Sequence, residues 1–108
     1  MNGKKFNWIL DKRLEKTKEI LASKSKEYST DSDKLHNFNR GARMTGEIRE
    51  KVILGFALKH HISVLDIVDN ITKGVLPSEA MVDEKIGDLV NYLILLEASI
   101  KERIGEEK

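Results

Sequence analysis

The stretch "LKHHISVLDIV", residues 58–68, sits in a run that otherwise reads as buried helix, yet it carries Lys59, Ser63 and Asp66 at i, i+4 and i+7. That spacing puts the three polar side chains on one helical stripe. A second stretch, "DEKIGDLVNYLILLEA" (83–98), repeats the arrangement with Glu84, Asp88 and Asn91. Between them lies "KGVLPS" (73–78), where Gly74 stops a helix, Pro77 breaks the chain and Ser78 caps the next helix. So short a link makes the two helices antiparallel neighbours. Counted outward from the link, Asp66 falls level with Asp88 and Ser63 with Asn91, while Lys59 faces the region of Tyr92 and Leu95. The polar stripes are therefore expected to meet across a helix pair.

Composition supports an all-α chain. Of 108 residues, 40% are apolar and 34% charged, which suits one domain over residues 1–108 with a single core. A single proline, few aromatics and little alternation argue against strands. Lysine and arginine number 19 against 18 acidic residues, so the net charge of +1 disfavours nucleic acid as the main partner. The absence of cysteine excludes disulfides and thiolate metal sites and points to the cytoplasm. "MNGKKFNWILDKRLEK" breaks its apolar run with charge, unlike a leader, and the apolar stretch near 89–96 is far short of a membrane span.

Four helices are expected. The first covers about Lys5 to Tyr28, with Phe6, Ile9, Leu10, Leu14, Ile20, Leu21 and Tyr28 near one face. "STDSD" (29–33) breaks it, and Thr30 with Asp33 has capping-box spacing. The second, about 33–44, buries Leu35, Phe38 and Ala42; "MTG" (44–46) is a turn with Thr45 as a cap. The third starts near Glu47 and runs to Thr72, with Ile48, Val52, Ile53, Phe56, Ile62, Leu65 and Val68 as its apolar positions. The fourth spans about Glu79 to Ile104.

Each candidate group also has a plain reading. Asp66, Glu84 and Asp88 could supply oxygens to Mg²⁺, with Asp69 one turn past Asp66. Glu84 and Asp83 equally suit a helix N-terminus. Asp88 lies among Ile86, Leu89 and Val90, where a carboxylate needs a charged partner, and Lys59 is one. Lys59, His60 and His61 form a local cluster able to grip a phosphate, but adjacent histidines point about 100° apart, so His60 and His61 do not chelate one metal. Lys24, near the end of the first helix, suits the helix dipole or a phosphate. Asn37 is a poor helix former whose amide could read a base or ribose, and Tyr28 or Tyr92 could stack on one. "DSDKLHNFNR" (31–40) fails as a calcium loop, because Leu35 and His36 occupy positions that need a ligand and glycine.

The ordered blocks "KEYSTDSDKLHNF", "LKHHISVLDIV" and "EKIGDLVNYLILLEA" resemble small phage-type proteins of the nucleotide-modification-associated domain 1 class. These in turn look like relatives of the MazG-like all-α NTP pyrophosphatases. The resemblance covers about residues 20–100. It implies a four-helix MazG-like bundle, assembled as a homodimer or homotetramer, with a Mg²⁺ and phosphate site between paired helices. In the catalytic superfamily an ExxE helix precedes an ExxD helix. Asp88 matches the final Asp, whereas Lys85 stands where Glu is expected, and Asp66 and Asp69 meet the ExxE position loosely.

These readings lead to a protein that binds a phosphorylated nucleotide or nucleotide-derived signal, sequestering it in the host cytoplasm if phage-encoded. Lys59, His60, Ser63, Asn37, Asn91, Tyr28, Tyr92 and Lys24 are the expected contacts. A Mg²⁺-dependent pyrophosphohydrolase and a non-catalytic regulatory interaction protein are the alternatives, and no catalytic residue is assigned. "RMTGEIREK" as the start of a helix-turn-helix ranks last, since the charge balance offers little to DNA.

Overall fold

The computed structural model describes residues 1–23 and 33–105. They form four helices and no strand: α1 (Gly3–Ser23), α2 (His36–Thr45), α3 (Arg49–Thr72) and α4 (Glu79–Ile104). No helix among the described residues is long and apolar enough to cross a membrane. The expected cap at Thr30, and the continuation of the first helix to Tyr28, lie outside the described residues.

Local chemistry explains the ends. Asp33 accepts a hydrogen bond from the Leu35 amide at 2.9 Å and another from Asn39 Nδ2 at 3.2 Å. Residues 33–35 are thereby held in a turn, and α2 starts at His36 rather than at Asp33. It stops at Gly46, whose φ of 73° is left-handed and whose amide donates to Ala42 O. Thr45 does not cap α3. Its hydroxyl donates to Gly41 O at 2.8 Å and accepts from the Glu47 amide at 3.3 Å, while the N-cap position falls to Ile48 without a side-chain bond. At the other end Gly74 takes φ 84° and Ser78 Oγ accepts from the Met81 amide at 3.1 Å, which starts α4 where the sequence indicates.

The core is small and lies toward one end. Leu35, Phe38, Ile53 and Leu95 are buried together, with Ile20, Leu21, Val52, Tyr92 and Leu96 packed around them. It therefore joins the end of α1, the start of α2 with the residue before it, the first turns of α3 and the middle of α4. Burial of Leu35 and Phe38 agrees with expectation. Much of the rest does not: Phe6, Ile9, Leu10 and Leu14 of α1, Ile48 at the cap of α3, and Phe56, Ile62, Leu65 and Val68 within α3 all stay roughly half exposed. The reason is geometric. α3 is apolar on two sides, and α4 covers only one of them, through Ile53, Ala57 and Ile67.

α1 lies along α4 in the same direction. Phe6 and Ile9 line a groove with Glu79 and Val82, Arg13 reaches Asp83, and Ile20 and Leu21 join the core beside Leu95. Gly87 permits this approach, because a Cβ there would stand 2.5 Å from an Arg13 guanidinium nitrogen. The space goes to Arg13, which donates to Asp83 O at 3.1 Å.

Candidate functional site

α3 and α4 run antiparallel in a register set by three successive contacts. Arg49 bonds Ser99, Phe56 stacks on Tyr92, and His60 meets Asp88. Continued onward, the register carries Asp66 to the level of Val82, a turn and a half away from Asp88. The expected pairing of Asp66 with Asp88 is thus corrected. The link is not symmetric: after Gly74 the chain folds back, with the Val75 amide donating to Asn70 O at 2.8 Å, so α4 begins alongside the last turns of α3.

Among the expected site residues, the pair that crosses between the two helices is His60 with Asp88. Nδ1 lies 3.5 Å from Oδ2, both side chains are partly buried, and the imidazole stacks on Tyr92 with ring centres 5.0 Å apart at 20°. Phe56 lies parallel to Tyr92 at 6.1 Å, and Phe38 meets both rings edge-on at 5.8 and 6.3 Å. Such geometries are the favoured ones for aromatic pairs. Tyr92 is therefore occupied by ring contacts on the core margin, so a base would meet the half-exposed Phe56 more readily. Phe38 touches Phe56 and Gly41 sits against Val52, so α2 runs against α3. Its first residues, His36 and Asn37, accordingly lie toward Lys59 and His60.

The other expected residues divide. Lys59, Asn37, Asp66 and Glu84 are exposed, and Ser63 is half-buried with its hydroxyl donating to Lys59 O at 3.2 Å. Lys59 meets neither Asp66 nor Asp88; the partner of Asp88 is His60. Asn91 is 1% exposed, and its Oδ1 has no hydrogen-bond partner. Thr17 Oγ1 is buried and unpaired in the same way, one turn past Arg13 as Asn91 is one turn past Gly87. Lys24 and Tyr28 lie outside the described residues. No group of three histidines or carboxylates able to hold a metal occurs among the described residues, and Asp66, Glu84 and Asp88 do not form one. The helical register separates them.

The most connected polar cluster was not foreseen. Arg49, at the first turn of α3, donates Nε to Ser99 Oγ at 2.7 Å, a terminal nitrogen to Ser99 O at 3.1 Å, and another to Asn39 Oδ1 at 3.1 Å. That last nitrogen also pairs with Glu102 at 2.9 Å. Ser99 Oγ donates to Glu50, which pairs with Arg103 at 2.7 Å. Burial alone would raise the Glu50 carboxyl, but hydrogen bonds from Ser99 and Arg103, with the Arg103 charge, outweigh it and hold Glu50 below its usual value. The cluster clamps α2, α3 and α4 together. Beside it an open pocket of about 450 Å³ is lined by Arg43, Arg49 and Arg103 together with Glu47 and Glu102. A polar serine in the buried row Asn91, Leu95, Ser99 was the available signal.

Comparison with known proteins finds no matching family model, no matching curated protein and no matching solved structure.

Proposed function

We propose that the protein is a helical binding module for a phosphorylated nucleotide, of the phage-type class its sequence resembles, and that it holds its ligand rather than cleaving it. The observation that carries this reading is the His60–Asp88 pair stacked on Tyr92 across α3 and α4, close to the start of α2. In this reading His60 and Ser63 contact phosphate, Lys59 draws it in from the rim, and the exposed face of Phe56 meets the base. Asp88 orients His60.

Calorimetric titration with a panel of nucleoside mono-, di- and triphosphates, with and without Mg²⁺, tests the proposal. Binding should fall at least about tenfold in His60→Ala, equivalent to about 1.4 kcal/mol, while circular dichroism stays helical. The ligand should be recovered intact. Released phosphate or pyrophosphate would move the assignment to the hydrolase. No binding across the panel would overturn the nucleotide reading.

A further inference from the structure

The polar cluster at the joint of α2, α3 and α4 leaves donors unused on its open side. Each acid lining the pocket of about 450 Å³ beside it already has a cation: Glu102 meets Arg49 at 2.9 Å, and Glu47 meets Lys51 at 3.2 Å. Asn39 is engaged as well, its amide nitrogen donating to Asp33 and its oxygen accepting from Arg49. The arginines are not balanced in the same way. Arg49 is largely buried and directs its nitrogens at Ser99, Asn39 and Glu102. Arg103 uses only Nε, on Glu50, and its two terminal nitrogens bond no described residue. Arg43 is exposed and pairs with no described residue. Two guanidinium groups, one from α2 and one from α4, thus line the same cavity with donors to spare. A cation suits a helix C-terminus, and Arg43 and Arg103 each stand in the last turn of their helix. The dipole accounts for each of them separately. It does not account for their meeting over one pocket whose lining carboxylates are already taken.

We infer that this pocket holds a small organic anion carrying two or more carboxylates, one on the fork of Arg43 and one on the fork of Arg103. A planar guanidinium presents paired N–H groups that match the two oxygens of a carboxylate, and it keeps its charge at every physiological pH. Phosphate offers similar oxygens but gathers nearly two charges at one point, and Glu47 and Glu102 stand on the wall to repel it. Two single charges set apart meet the two forks with less of that repulsion. Ala42 and Ile48 give the pocket an apolar stretch against which a short carbon chain packs. The volume suits a small molecule. The inference does not rest on the nucleotide reading, since Arg49 and His60 are separated along α3 by about 16 Å of helix.

The test is titration of the full chain with citrate at constant ionic strength, read by calorimetry and by the arginine Nε–H signals in nuclear magnetic resonance. Citrate should bind with a dissociation constant of about 1 mM or lower, and acetate and inorganic phosphate should each bind at least about tenfold more weakly. Arg43→Ala removes no described contact, so it should keep its helical circular dichroism and lose at least about tenfold in citrate affinity. Arg43→Lys keeps the charge without the fork and should recover only part of the loss. Glu47→Gln should tighten citrate. No citrate binding, phosphate bound more tightly than citrate, or an affinity indifferent to Arg43→Ala would overturn the inference. Full recovery in Arg43→Lys would overturn recognition by the fork. Nucleoside triphosphate should leave citrate in place, and Arg43→Ala should leave nucleotide binding intact; displacement of citrate by nucleotide would overturn the separation of the two sites.

Discussion

The two sides of α3 are built from the same kinds of residue and end in opposite environments. The inner side sets Ile53 and Ala57 against α4, carries His60 to Asp88 and Arg49 to Ser99, and is closed by α2 and α4. The outer side offers leucines of equal hydrophobicity to solvent. Composition does not separate them. What does is the presence of a polar partner across the seam, because only the inner side has acceptors and donors that a neighbouring helix of the same subunit completes.

This contrast can be broken most forcefully from the inside. Phe38→Ala removes a ring at 2% exposure that three elements pack against, and should cost about 3–5 kcal/mol in urea denaturation. Arg49→Ala strands Glu102, Ser99 and Asn39 at the joint of three helices, with an expected loss of about 3 kcal/mol. Gly87→Ala forces the Arg13 guanidinium aside; since that group is the end of a flexible chain, the cost should be about 1 kcal/mol, read as easier proteolysis of α1. On the outer side Gly55→Ala meets nothing among the described residues, so at high dilution it should stabilise by up to about 1 kcal/mol. A loss of thermal stability that grows with concentration would reveal a neighbour.

Acid sharpens the same contrast without mutation. Because the Glu50 carboxyl is held low in the folded chain, its contribution is complete above the usual glutamate value and fades as pH falls through the lower, folded one. Stability should decline on acidification, and Glu50→Gln should flatten that part of the profile. The wild type and this variant, denatured at matched pH, check it.

How much of this was legible depended on distance along the chain. The link between α3 and α4 was readable because glycine, proline and serine there act on their immediate neighbours, and Gly74 and Ser78 do what their chemistry dictates. The register was not, since a fold-back at Val75 shifts every pair beyond it. Hence His60, not Lys59, is the group that reaches Asp88. Arg49 and Ser99, 50 positions apart, left no local trace beyond a small polar residue in an apolar row. Amphipathicity named the apolar positions of α3 but could not say which side this subunit would fill.

The brevity of the 73–78 link has a consequence for how the chain acquires its structure. Helices joined so closely find one another with little loop-closure cost, whereas α1 must be brought to α4 from across most of the sequence. The α3–α4 hairpin should therefore form in the folding transition state, with α1 seated afterwards. Side-chain truncations along the Ile53–Leu95 contact would slow refolding, and those along α1 would chiefly speed unfolding.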